Sequence, residues 1–288
     1  MATRKTGWSL TLVALLFSLL VPVVQAQGQE LSAGVKAVKA PSRGCSLATL
    51  KGTYGVWEQG TVVGDLPGFP PPPWLFANSA KATYDGTGNL SGTYTGSFGG
   101  AIVPGTFTGT YGVNPDCTYS DEFTPLPGFV VHHAGTITGA GVSLQIDYIY
   151  TDAGLVISGT AKKTPPWGCS VASFRGTYAH FGQGTVTAQL PALPPPPLLW
   201  DHSGTVTFDG KGNFSGGGTE SVNGTAVPLT FTGTYTVNPD CTTSAVIHTS
   251  LGLVLHEAGT ATGVWPSQEY HGIFTDAGWI FVDGLKKQ

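Results

Sequence analysis

The sequence predicts an all-β protein of two tandem antiparallel up-and-down β-barrels, each of about eight strands. Three observations carry that prediction. One stretch occurs twice, as TFTGTYGVNPDCT over residues 106–118 and as TFTGTYTVNPDCT over residues 230–242. Around it, residues 45–163 and 169–287 align without a gap, and 59 of 119 positions are identical. That is too close for chance, so the two copies share one fold. Finally, no long window repeats apolar residues at the helical period, whereas apolar and hydroxyl residues alternate throughout, the pattern of strands with one dry face.

The elements follow in order. Residues 1–26 read as a secretory signal: Arg4 and Lys5 give a positive start, 10–24 an apolar run, and Val24-Gln25-Ala26 a small-residue cleavage site. The run is short for a bilayer span and no stop-transfer charges follow, so no transmembrane segment is expected after its removal. Residues 27–44 are small and polar, a flexible lead-in to barrel repeat 1 at 45–163. Residues 164–168, Thr-Pro-Pro-Trp-Gly, form a short stiff joint with Trp167 as a candidate wedge, and repeat 2 fills 169–288. Export makes the protein secreted or periplasmic and favours disulfides. Four cysteines admit three pairings. Cys45 and Cys117 are spaced as Cys169 and Cys241 are, which predicts one bridge inside each copy.

Within each copy a first strand opens at Gly52 or Gly176 and meets a proline run, 70–73 or 194–197. The next hairpin turns at Asp85-Gly86-Thr87-Gly88-Asn89 or Asp209-Gly210-Lys211-Gly212-Asn213, where glycine and Asx supply positive φ. A further turn falls at Gly99-Gly100 or Asn223-Gly224. The duplicated strand then ends at Asn-Pro-Asp, because proline removes a ladder donor and the Asx side chains cap the turn. Strands over 130–138, 144–150 and 155–161 follow, with counterparts at 254–262, 268–274 and 279–285. A helix-free meander of this length must hide its edges. Eight strands closing on themselves do so, and leave space for side chains or one small ligand. A pair of β-sandwiches is the alternative.

Composition narrows the function. The net charge is −4, and two of the 13 basic residues sit in the signal, so no basic patch exists to neutralise phosphates and nucleic acid is not an expected partner. Neither a Cys-x-x-Cys pair nor a Cys/His cluster occurs, so no metal and no cofactor are expected. The Asp-Gly-x-Gly-Asn turns lack the further carboxylates of a calcium loop. No P-loop, dinucleotide fingerprint or nucleophile elbow is present.

Cys-Ser before Gly-Thr-Tyr, then Asp-Gly-x-Gly-Asn, then Gly-Thr-Tyr-x-Val-Asn-Pro-Asp-Cys-Thr resembles a group of uncharacterised secreted bacterial proteins. That group is similar in architecture to allene oxide cyclase-like and lipocalin-like barrels. The resemblance covers both repeats and implies a barrel with a hydrophobic cavity. Its motifs lie in turns and strand ends, and carry over no catalytic residue.

Alternation sorts the faces. Tyr54, Val56 and Glu58 share one, as do Tyr178 and His180. Val131, His133 and Ile137 share another, with Leu255, Glu257 and Ala261 as counterparts. Leu144, Ile146, Tyr148 and Tyr150 face inward, against Gln145 and Asp147. Tyr270 and Phe274 face inward, with Glu269 and His271 on the wet side. Glu58 and His133 in the first copy, and His180 and Glu257 in the second, are therefore candidate general acid/base residues, since burial moves both types toward neutral pKa. The competing reading is hydrogen-bonded interior polar groups, and a slip of one residue would reverse every face. His132 and His256 read as surface imidazoles. The expected ligand-binding side chains are Tyr54, Trp74, Phe107, Tyr111, Tyr148 and Tyr150, then Tyr178, Trp200, Phe231, Tyr235, Tyr270 and Phe274. The proline runs, flanked by Phe69 and Trp74 or Leu193 and Leu198, form either a rim at the barrel mouth or a packed loop.

Three functions fit these residues. The first is binding of a small apolar or amphipathic molecule in an aromatic-lined cavity, which requires a few hundred Å³ of interior. The second is a cofactor-free cyclase or isomerase, which requires Glu58 and His133 to line one cavity. The third is a filled structural envelope or surface interaction module.

Overall fold

A computed structural model describes residues 44–288 except 67, 68, 70, 191, 192 and 265. The signal, nearly all of the lead-in and Pro70 of the first proline run lie outside the described residues. Barrel 1 comprises β1 (Gly52–Val62), β2 (Trp74–Tyr84), β3 (Asn89–Phe98), β4 (Ala101–Val113), β5 (Thr118–Leu126), β6 (Phe129–Thr138), β7 (Gln145–Tyr150) and β8 (Leu155–Lys163). Barrel 2 comprises β9 (Arg175–Val186), β10 (Leu198–Asp209), β11 (Asn213–Val222), β12 (Thr225–Val237), β13 (Thr242–Thr249), β14 (Val254–Thr262), β15 (Glu269–Phe274) and β16 (Trp279–Lys287). Each strand pairs antiparallel with the next, and β8 returns to β1 as β16 does to β9. Both sheets are closed, so neither is a sandwich.

The pleat produces the core. In β4, Phe107 and Tyr111 are buried while Thr106, Thr108 and Thr110 face out, and Phe231 and Tyr235 repeat this in β12. The hairpin turns hold themselves: the Asp85 carboxylate accepts the amides of Thr87 (2.7 Å) and Asn89 (3.0 Å) and the Asn89 side chain (2.6 Å), which keeps its pKa far below the usual carboxylate range. With its oxygens so engaged, this carboxylate belongs to the turn.

One end of each barrel is stoppered. A single 3₁₀ turn, Leu47–Leu50, inserts fully buried Leu50, and the Tyr111 hydroxyl donates to Leu47 O at 3.0 Å. In barrel 2 the turn Val171–Ser173 precedes buried Phe174, whose carbonyl accepts from the Tyr235 hydroxyl at 2.8 Å. The bridges Cys45–Cys117 and Cys169–Cys241 tie these stoppers to the turns after β4 and β12. Each closes a 72-residue separation, worth up to about 4 kcal/mol in loop-closure entropy. The double substitution Cys45→Ser with Cys117→Ser is expected to lower barrel 1 stability by up to that amount. Denaturant unfolding of the variant against the oxidised protein measures it.

The two barrels form one compact unit. The outer face of β1–β3 packs on the outer face of β14–β16. Ala77, Ile273 and Ile280 make a small apolar centre, and the Trp57 ring stacks on His271 with centroids 3.4 Å apart. Ser97 donates to Trp279 O at 2.6 Å, Lys162 pairs with Glu269 at 2.7 Å, and Lys81 pairs with Asp240. Gly55 permits the approach, since a Cβ there would lie 2.6 Å from Thr262 Cγ2. Two expectations are corrected by this contact. Glu269 and His271 are not on a wet face, because barrel 1 covers it. Trp167 is not a wedge: it is 74% exposed, and the joint is fixed by backbone bonds from Thr164 N to Thr53 O (2.9 Å) and Cys169 N to Pro239 O (3.2 Å).

Candidate functional site

Barrel 1 encloses a cavity of about 70 Å³. Its walls are mostly aliphatic and aromatic, and one side is a polar cluster carried by β1, β2, β5, β6 and β7. Glu58 accepts hydrogen bonds from Asn78 Nδ2 (2.7 Å), the Tyr148 hydroxyl (2.6 Å) and the Tyr150 hydroxyl (3.0 Å). The His133 imidazole lies between two carboxylates, with Nδ1 3.1 Å from Asp121 Oδ1 and Nε2 3.9 Å from Glu58 Oε1. Asp121 also accepts from the Tyr119 hydroxyl, which is 2.9 Å from the Tyr84 hydroxyl. Burial pushes the pKa values of Tyr84, Tyr119, Tyr148 and Tyr150 well above that of free tyrosine, so these phenols stay protonated at neutral pH. His133 Nε2 and Asn78 Oδ1 are buried without a protein partner.

The strand period explains why these groups meet. Glu58, Asn78, Asp121, His133, Tyr148 and Tyr150 occupy inward positions at similar heights on a closed sheet, where side chains from distant strands converge. The aromatic residues expected at a ligand divide. Trp74, Phe107, Tyr148 and Tyr150 line the cavity. Tyr54 instead packs edge-on against Tyr84 at the stoppered end, and Tyr111 spends its hydroxyl on Leu47 O and the Gly86 amide. Phe69, beside the proline run, packs on Trp74 and Phe98, both of which line the cavity.

Barrel 2 holds a similar free volume, divided in two. Two voids of about 40 Å³ each flank His180. Phe231, Tyr235 and Tyr270 line one of them. Trp200, Phe274 and again Phe231 line the other. Tyr178 lines neither, and donates to Gln268 Oε1 at 2.8 Å. His180 Nε2 lies 2.9 Å from the Asp283 carboxylate, while Glu220 is bonded by both His202 Nδ1 and Trp200 Nε1. The His180 and His202 rings are 4.1 Å apart. Burial pulls the His180 pKa down to about 4 and pushes Asp283 up to about 7. It also raises Glu257 well above the usual range, with the Asp283 charge adding to the effect.

Asp121, Asn78, His202, Glu220 and Asp283 belong to these clusters and were not among the sequence candidates. The same parity count reaches them: Asp121 shares a face with Tyr119 and Phe123, and Asp283 with Phe281 and Leu285. A second signal lies in the repeat. Glu58 pairs across strands with Gly159, and the counterpart pair is Gly182 with Asp283. A carboxylate is kept at that cross-strand pair although the strand supplying it changes, and glycine opposite leaves it room. His132 and His256 are exposed, and each bonds through Nδ1 to the aspartate of the following turn, Asp152 (2.8 Å) or Asp276 (2.9 Å).

Fold and site together define a tandem of closed eight-stranded barrels, each with a buried cluster of carboxylates and imidazoles. No protein-family model matches the chain, and no curated protein matches it.

Proposed function

We propose that this chain is an exported barrel protein whose first barrel takes a small apolar molecule with one polar end. The carrying observation is the cavity of about 70 Å³, apolar on most sides and faced on one by Glu58, Asn78, His133, Tyr148 and Tyr150. It is far smaller than the 300–1,000 Å³ pockets of drug-sized ligands. This narrows the expected ligand to a few heavy atoms, because the space is about half of a cavity of about 150 Å³ that takes benzene. The unpartnered His133 Nε2 and Asn78 Oδ1 supply polar contacts for such a molecule. Export, with maturation after Ala26, is supported by the two disulfides and suits a secreted or periplasmic setting.

Ethanol is a probe of matching size and polarity. Calorimetric titration is expected to show saturable binding, abolished by Ala80→Leu, which fills the cavity from β2. Absence of saturation with the wild type, or equal binding by Ala80→Leu, overturns the reading. Native mass spectrometry of protein from its own source identifies any retained molecule.

One observation favours a second reading, a cofactor-free cyclase or isomerase. Glu58 and His133 border the same cavity, and His133 Nε2 is free to take or give a proton there while Nδ1 rests on Asp121. On that reading His133→Gln costs turnover far more than it costs ethanol binding. Barrel 2, whose free volume is split into two voids too small for more than a water or so each, fits the third expectation, a structural or interaction role.

A further inference from the structure

The two barrels contact each other through unlike faces. Barrel 1 uses β1–β3, the first three strands of the repeat, and barrel 2 uses β14–β16, the last three. Barrel 1 therefore keeps an open β6–β8 face, and barrel 2 an open β9–β11 face. In the repeat alignment these are the counterparts of the two surfaces buried between the barrels. Ile149 and Val156 stand where Ile273 and Ile280 stand, and Phe181 and Leu199 stand where Trp57 and Leu75 stand.

Exposure marks the correspondence. Ile273 and Ile280 are 0% and 5% exposed, whereas Ile149 and Val156 are 57% and 66% exposed. Phe181 and Leu199 are 49% and 64% exposed. Each chain thus presents, on two faces that border one groove beside the internal contact, the repeat equivalents of the two halves of that contact. Such a contact joins unlike faces, so its reuse between chains builds a ring where the rotation closes and a filament where it does not.

The polar pairs of the internal contact do not carry over, since Lys81, Glu269 and His271 correspond to Thr205, Gln145 and Asp147, and two further residues oppose the reuse directly. Ala179 stands in place of Gly55, where a Cβ meets Thr262 Cγ2 at 2.6 Å and Thr260 Cγ2 at 2.8 Å. The residues facing Ala179 in a copied contact are Thr138 and Thr136, threonines again, so the overlap recurs. Asp201 stands in place of Ala77, which is buried against Ile273 and Ile280. In the copied contact its carboxylate loses water against Ile149 and Val156, a cost of several kcal/mol for an unpaired charge. We propose that the open faces fit a second copy of this chain, and that Ala179 and Asp201 are the specificity residues that prevent this docking and keep the tandem unpolymerised.

Sedimentation velocity over a concentration series tests the proposal with the full exported chain. The wild type is expected to sediment as a monomer. Ala179→Gly with Asp201→Ala is expected to associate as concentration rises, with its mean mass at least doubling. Adding Val156→Lys, on the opposite open face, is expected to return it to a monomer. Asp201→Ala alone leaves β9 untouched and is expected to associate more weakly. The proposal is overturned by a folded double variant that stays monomeric. It is equally overturned by association that Val156→Lys does not affect, or by a wild type that itself assembles through Val156.

Discussion

Replacing Glu58 by alanine is expected to destabilise barrel 1 by about 3–5 kcal/mol, the cost of removing one member from a buried charge cluster. Its two oxygens receive Asn78, Tyr148 and Tyr150, and all three donors lose their acceptor together. The phenols cannot relieve the loss by ionising, because burial holds them protonated. His133 is left with Asp121 as its remaining carboxylate neighbour. Glu58→Gln keeps the shape and one acceptor oxygen but turns an amide N–H₂ toward these donors, so a smaller loss of about 1–3 kcal/mol is expected. At roughly 4 °C or more per kcal/mol for a domain of this size, the alanine variant melts at least about 12 °C lower. Thermal unfolding followed by tryptophan fluorescence reads this, since Trp74 reports on the interior of barrel 1 and Trp200 and Trp279 on that of barrel 2. The barrel 2 transition should move little. A barrel 1 shift below about 1 kcal/mol would show that the donors find other acceptors, and would remove the cluster as the polar end of the proposed site.

The fold was legible in the sequence because closure depends on local signals. The Asp85 and Asp209 turns, the Asn-Pro-Asp strand ends and the alternation in β4 and β12 are each readable within a few residues. The inward direction of Glu58, His133, His180 and Glu257 followed from the same period of two. Their partners did not follow. That Asp121 on β5 approaches His133 on β6, and that both face Glu58 across the barrel, depends on strand tilt and stagger, which no single strand encodes. His271 was assigned to water because its strand alone cannot show that Trp57, from the other copy, lies over it. Cavity size was also out of reach, since about 70 Å³ is what remains after Phe76, Phe107, Phe123 and their neighbours have packed.

Barrel 2 is expected to be more stable at pH 5 than at pH 8, weakening as the pH rises between them. In the unfolded chain Asp283 and Glu257 ionise near 3.8 and 4.5, whereas in the barrel burial pushes Asp283 up to about 7 and Glu257 well above its ordinary value. The native state therefore holds more protons than the unfolded state across this window, so stability falls as pH rises through it. His180 acts in the opposite sense. Its pKa drops from 6.5 to about 4 on burial, so the native state holds fewer protons there and stability falls as pH drops. Between about 4 and 6.5 the imidazole offsets one carboxyl, and above 6.5 it offsets neither. The net change from pH 5 to 8 is therefore a loss of stability, carried by the carboxyls and partly offset by the imidazole below 6.5. Trp200 and Trp279 fluorescence during thermal unfolding at the two pH values measures it. Asp283→Asn should remove part of the difference, and adding Glu257→Gln should remove most of the rest. A flat profile in the wild type would mean that water in the two voids of about 40 Å³ solvates these carboxylates. Barrel 2 would then be a hydrated interior, and a filled structural role for it would no longer stand.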